Sequence, residues 1–339
     1  ALIPLFCRLL PGDRPAPHTV LTIHNLGYQG RFGASELDHL SLPDPARRAA
    51  FRVEGLEYYG GINFLKAGIV YSDALTTVSP TYAREILTEE FGCGLDGLLR
   101  WQIPKLHGIL NGADYDLWDP SRDAVLPERY GPESLERKTA STRTLRERFG
   151  LPYADRPILG VVSRLVQQKG IDLVAEAAEE LMQAGADLVI LGSGEAEIVD
   201  RLEKLRGRHP QHIALTIGYN ETLSHLVVAG SDLLLIPSRY EPCGLTQMYA
   251  MRYGTPPVVT RTGGLADTVR DATEGGAGTG FFLEDFSAGS LAKVIRRALE
   301  LRRADPEAWK RLQRNAMAAN FSWDTAASRT WELYQQILH

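Results

Sequence analysis

The chain has 339 residues, too many for one ordinary hydrophobic core, so two domains are expected. A hydrophobic content of 44%, a charged content of 23% and a net charge of −5 describe an average globular protein with no basic footprint for nucleic acid. No apolar run approaches the ~20 residues that span a membrane; Arg8 follows the first apolar residues instead of preceding them, which is not a signal-peptide pattern; and Cys7, Cys93 and Cys243 are a sparse, odd set that suggests a reducing compartment.

In chain order, strand-like runs fall at Thr19–Ile23, Ala74–Val78, His107–Leu110, Ile158–Val162, Asp187–Leu191, Ile213–Ile217, Leu233–Ile236 and Pro257–Thr260. Helix-like segments lie between most of them, including Ile62–Tyr71, Pro80–Glu90, Ile171–Ala184 and Glu195–Arg208. Strands alternating with helices predict parallel sheets, and from Ile158 onward the alternation is regular enough for a full doubly wound α/β domain. The polar stretch Ser121–Arg148, with Pro127 and Pro132, reads as the connection between halves. Trp323–Leu338, with Trp331, Tyr334 and Ile337, reads as an amphipathic helix.

Two strand-to-helix loops carry the chemistry. After Ile158–Val162, Arg164 and Lys169 stand five residues apart just before a helix, where a guanidinium fork and a mobile ammonium can converge on a diphosphate. After Leu233–Ile236, the run Ser238-Arg239-Tyr240-Glu241-Pro242-Cys243-Gly244-Leu245-Thr246 places a carboxylate just before a glycine and a helix-opening stretch of backbone N–H groups. Ligands of open α/β sheets bind at the carboxyl ends of strands, where both loops lie. On residues alone, the alternatives are two solvated cations and a Glu that caps a helix. Asn111 precedes a glycine and reads equally as a turn residue, and Tyr219 as a core aromatic. His24 reads as a satisfied structural group. The eight histidines show no paired metal-ligand spacing, so no metal is expected.

These stretches resemble the bacterial glycogen synthase and plant starch synthase family. Further matches are Thr22-Ile23-His24-Asn25-Leu26-Gly27-Tyr28-Gln29-Gly30, Asn63-Phe64-Leu65-Lys66-Ala67-Gly68, Gly108-Ile109-Leu110-Asn111-Gly112-Ala113-Asp114, Ile217-Gly218-Tyr219 and Arg261-Thr262-Gly263-Gly264-Leu265-Ala266-Asp267. The resemblance runs from about Thr19 to the C-terminus, and the order and spacing of its motifs are specific. It implies the GT-B fold, two Rossmann-like domains facing a cleft. The expected boundaries are 1–148 for the first domain and linker, 149–318 for the nucleotide-sugar domain, and 319–339 for a helix that packs back on the first domain. It also implies transfer of glucose from ADP-glucose to the non-reducing end of an α-1,4-glucan with retention of configuration, in the cytoplasm of a bacterium or the plastid of a plant. A UDP-glucose-dependent GT-B enzyme and a non-catalytic nucleotide- or glucan-binding module stand as alternatives.

By this resemblance Arg164 and Lys169 hold the donor phosphates and the leaving diphosphate, and Glu241 contacts the transferred glucose. Gly244, Leu245 and Thr246 offer N–H groups and a hydroxyl to the phosphates, with Cys243 beside them. Tyr219 stacks on adenine, Asn111 lies by the donor, and His24 contacts the glucose near the developing positive charge. Where many retaining relatives carry a second Glu, this chain has Tyr249, a departure that bacterial glycogen synthases share. The family's opening strand and Lys-x-Gly-Gly-Leu loop have no counterpart before Thr19. The expectation is therefore a first domain without its opening strands, in a chain that binds ADP weakly and does not elongate glucan.

Overall fold

A computed structural model describes residues 1–10, 15–274 and 276–338. Its strands are β1 (Val20–Ile23), β2 (Arg31–Gly33), β3 (Glu57–Tyr58), β4 (Gly61–Asn63), β5 (Ala74–Thr77), β6 (Leu106–Gly108), β7 (Ile158–Val162), β8 (Asp187–Gly192), β9 (Ile213–Ile217), β10 (Leu233–Ile236), β11 (Pro257–Val259) and β12 (Phe281–Phe282). The described residues form two compact units, Ala1–Asn111 with Asp324–His339, and Gly112–Trp323.

In the first unit, β1, β5 and β6 make a parallel sheet in that order, and β2, β4 and β3 a separate antiparallel one. The antiparallel strands escape a pattern reading because they are two or three residues long and carry glycine and exposed side chains. The helix expected from Ile62 begins at Phe64. Asn63 is its cap, accepting from Lys66 N at 2.9 Å, so Ile62 and Asn63 stay extended and join β4. The helix after Pro80 ends at Glu85, where the Thr88 hydroxyl takes the Glu85 carbonyl at 2.7 Å. Leu5, Leu37, Leu56, Ile62 and Ala67 form one core of this unit.

The second unit holds a six-stranded, wholly parallel sheet in the order β12-β11-β10-β7-β8-β9. The sequences ILGVV, DLVILG and LLLI are near-continuous apolar runs because helices cover both faces. One face packs on the helices Ile171–Gln183, Ala196–Arg208 and Ala288–Ala304. The other packs on Lys138–Phe149 and Glu221–Gly230 through Leu145, Val227, Val228 and Ala229. Helix Lys138–Phe149 lies in the polar stretch read above as a connection; it buries only Lys138, Ser141, Leu145 and Arg146, too few apolar positions to show a stripe. From β7 the chain steps outward through β8 and β9, then returns to the other side of β7 with β10. That reversal between β7 and β10 is the place where open α/β sheets bind ligands, beyond the carboxyl ends of the strands.

Candidate donor site at the sheet reversal

The loop after β7 carries Arg164 and Lys169, and the loop after β10 carries Glu241. Their strands are neighbours, so residues 72 apart in sequence meet: Lys169 Nζ is ion-paired with Glu241 Oε2. Ser238 Oγ donates to the same oxygen at 3.1 Å. Glu241 is only 7% exposed and Lys169 is mostly covered, so the pair sits in a region of reduced dielectric where each charge depends on the other. The cap reading of Glu241 does not hold, because the helix Thr246–Arg252 has no side-chain cap.

Further bonds lace the two loops. Gln168 Nε2 donates to Tyr240 O at 3.3 Å, Arg239 N donates to Gln168 O at 2.8 Å, and Arg239 Nη2 reaches Asp172 at 2.6 Å. Arg164 is exposed and gives Nη2 to Gln168 Oε1 at 3.2 Å, beside Lys169. Gly170, at φ +66°, lets the loop lie against the end of β10; a Cβ there would fall 1.9 Å from Pro237 O. Gly263, at φ +42°, does the same for the Arg261–Asp267 motif, where a Cβ would fall 1.9 Å from Glu241 O. Gly264 N donates to that carbonyl at 3.0 Å. The two motifs thus form one piece of backbone under Glu241, and Thr260 Oγ1 adds a bond to Ser238 O.

Beyond Glu241, Cys243 is buried, and neither Gly244 nor Leu245 gives its N–H to a protein acceptor among the described residues. Gly244 is left-handed at φ +71° and leads into the short helix that begins at Thr246. Gln247 lies wholly buried beneath, with Nε2 on the carbonyls of Cys243 at 3.1 Å and Gly244 at 2.9 Å. Tyr219 follows β9 and Gly218, whose N–H is held by Gly192 O at 2.8 Å. At 84% exposed, Tyr219 is no core aromatic; its ring stands free at the carboxyl end of the sheet.

Tyr249 has a packing role. Its ring stacks on Trp118 with centroids 4.4 Å apart, and Trp118 stacks on His225 at 3.7 Å. His225 Nδ1 lies 2.7 Å from Asp123 Oδ2, which also accepts from the Tyr253 hydroxyl at 2.6 Å. Burial pushes the Asp123 carboxyl up, but the bonds from His225, Tyr253 and Val125 N outweigh it and hold it low. This stack braces the helix that opens at Thr246.

In the first unit, His24 directly follows β1 and is exposed, with no hydrogen bond among the described residues. Its backbone is fixed: Asn25 Oδ1 accepts from Gly27 N at 2.9 Å, and the buried Tyr82 hydroxyl accepts from Leu26 N at 3.0 Å. Asn111, the last residue of this unit's first segment, is half-buried. The structure therefore brings Lys169 and Glu241 together, sets Arg164 beside them through Gln168, and places the Gly244–Thr246 backbone just beyond. Ser238, Gln168, Gln247 and Gly263 are the supporting residues that pattern reading assigned no role; Ser238 is signalled only by standing three residues before Glu241.

Comparison with known proteins decides the family. Residues 1–101 match the starch synthase catalytic domain and residues 143–318 the glycosyl transferases group 1. The chain is 48% identical to glycogen synthase 2 of Nitrosococcus oceani, over 99% of this chain and 68% of that protein. It belongs to the glycogen synthase and starch synthase family. Glycogen synthase 1 of Rhizobium meliloti is 47% identical over 100% of this chain and 70% of its own length. The catalytic domain of starch synthase IV from Arabidopsis thaliana, solved with ADP and acarbose, superposes with a TM-score of 0.93 at 35% identity, over 99% of this chain and 70% of that one. The protein is a glycosyltransferase of GT-B fold. The chain spans about 70% of the length of these relatives.

Proposed function

We propose that this chain transfers glucose from ADP-glucose to the 4-hydroxyl at the non-reducing end of an α-1,4-glucan, retaining configuration. The observation that carries the reading is the Lys169–Glu241–Ser238 knot at the reversal between β7 and β10, with the uncommitted N–H groups of Gly244 and Leu245 next to it. An anionic diphosphate fits the N–H groups, Lys169 and Arg164, and the sugar hydroxyls fit Glu241. The exposed ring of Tyr219 offers a stacking face for a base. ADP as the nucleotide is supported by the related starch synthase IV, which binds it in its solved structure.

In the reaction the bond from glucose C1 to the diphosphate oxygen breaks, and a bond from the acceptor O4 to C1 forms. The acceptor proton passes to the departing diphosphate, whose charge Arg164, Lys169 and the loop N–H groups stabilise as it develops. Retention by double displacement would call for a second carboxyl ~5–5.5 Å from Glu241 as its partner. The groups packed around Glu241 are instead an ammonium and a hydroxyl. Same-face attack fits that set.

The test is incorporation of labelled glucose into maltooligosaccharide from ADP-glucose and from UDP-glucose, with the anomer of the new linkage read by NMR. Expected is α-1,4 extension with kcat/KM higher for ADP-glucose. Equal or better use of UDP-glucose, or a β linkage, overturns the reading.

A further inference from the structure

At the opposite end of the second unit's sheet lies a cavity of about 580 Å³. It opens beside the amino ends of β7, β8 and β10, between the helix Lys138–Phe149 and the C-terminal helices Ala288–Ala304 and Pro306–Ala318. Seven of its lining residues are lysine or arginine and three are acidic, in a chain whose overall charge is −5. Local excess of one sign in a concave site focuses potential on small counter-ions.

Several of these cations are already committed. Arg146 and Arg156 both grip the buried Asp187, at 2.9 and 2.8 Å, and cap loop carbonyls. Arg302 holds Asp232 at 2.9 Å, whose other oxygen accepts from Ile158 N at 2.8 Å. Buried Lys138 donates hydrogen bonds to Ala229 O and to Thr255 Oγ1, so it offers the cavity no free donor. These groups form a rigid, cationic floor. The uncommitted donors lie at the mouth. Arg143 is exposed and has no partner among the described residues. Arg314 spends only Nε, on Pro132 O at 3.3 Å, which leaves its Nη fork open. Lys310 holds only an exposed pair with Glu307, a weak tie in water. Glu136 and Asp155 oppose an anion from the rim and do not balance this set. Tyr153, 80% exposed, adds a ring at the edge.

Two open guanidinium forks over a cationic floor match the geometry of a phosphate dianion better than that of a single carboxylate. We propose that this cavity binds the phosphate group of a small phosphorylated metabolite, at a site separate from the donor loops, which lie at the other end of the same strands.

The probe is inorganic phosphate at fixed ionic strength, titrated by calorimetry into the whole chain saturated with ADP, so that the donor loops do not contribute. Expected is saturable binding that persists with ADP and in Lys169→Ala. In the Arg143→Ala/Arg314→Ala double variant it weakens roughly tenfold or more, as for the loss of two charge-assisted contacts. Both arginines are exposed, and an unchanged melting temperature checks the fold. The control Arg148→Ala/Arg311→Ala makes the same change in net charge at exposed positions outside the cavity and is expected to leave affinity within twofold. Absence of saturable binding, competition by ADP, or equal weakening in the two double variants overturns the proposal.

Discussion

The donor loops of the second unit and the β1 end of the first unit solve different problems. Around Glu241 the side chain is held at Oε2 by Lys169 and Ser238, and the loops beneath it by backbone that only glycine at 170 and 263 allows to come so close. Around His24 only the backbone is held, through Asn25 and Tyr82, and the ring is presented unbonded. A preorganised ion pair gives a fixed electrostatic frame that needs no rearrangement as charge develops. A free ring just past a strand end is a group that, on the proposed reading, engages only when substrate is present. The difference predicts that changes at the first site act on both folding and catalysis, and changes at the second on catalysis alone.

The largest effect is expected at the ion pair. Lys169→Ala removes a phosphate contact and leaves Glu241 buried without its partner. Loss of a charge-assisted contact contributes roughly 1.5–3 kcal/mol, and more where charge develops, so kcat/KM for the donor should fall about a hundredfold or beyond. An orphaned buried charge costs about 3–5 kcal/mol, so the melting temperature should drop by several degrees as well. Steady-state kinetics beside a thermal melt checks both. A variant with full activity, or one that loses activity with no change in melting, would show the pair is not the shared support described here.

His24→Ala is the counterpart. Misplaced or missing substrate contacts typically cost tenfold to a hundredfold in rate, and a decrease in kcat of about that size is expected. The melting temperature should stay within about a degree, because no side-chain bond is lost. A fall in stability comparable to that of Lys169→Ala would erase the contrast between the two regions.

How much of this was legible in the sequence follows from the same contrast. Five of the six strands of the second unit could be read because burial on both faces makes them largely apolar; the sixth, Phe281–Phe282, is only two residues long and leaves no run to read. Arg31–Gly33, Glu57–Tyr58 and Gly61–Asn63 could not, since short, partly exposed pairings leave no alternation to read. Arg164, Lys169, Glu241 and Tyr219 stand out by their place after strands. The Lys169–Glu241 pairing does not, because it depends on β7 and β10 being neighbours, and strand order is not written in local pattern. The use of Gly263 was equally hidden. Its need for glycine comes from the Glu241 carbonyl, which only the folded backbone brings near.

A smaller effect is expected at Tyr219. Its ring is exposed, so truncation should leave the fold intact. Base stacking on an aromatic contributes about 1–3 kcal/mol, so Tyr219→Ala should raise KM for ADP-glucose roughly tenfold with little change in kcat. Calorimetry with ADP separates the readings: unaltered ADP affinity in the variant would remove Tyr219 from the site.

The smallest effect on activity, and one confined to stability, comes from a third place, the buried Lys138 of the second unit. Burial lowers its pKa to about 7, while the nearby Asp232 works in the opposite direction. Below pH 7 the ammonium is charged in both folded and unfolded chains, and the cost of burying it is constant. Between about pH 7 and the ordinary lysine range the unfolded chain still binds this proton and the folded chain does not. Stability therefore rises with pH across that window, by at most about 1.4 kcal/mol per unit for one proton. Lys138→Met keeps the volume and removes the titration, so the other ionisable groups cancel in the difference between the two proteins. Urea midpoints measured from pH 6 to pH 9.5 should show the parent gaining on the variant above neutrality. A difference that stays flat with pH would mean that the bonds to Ala229 O and Thr255 Oγ1 keep the ammonium charged.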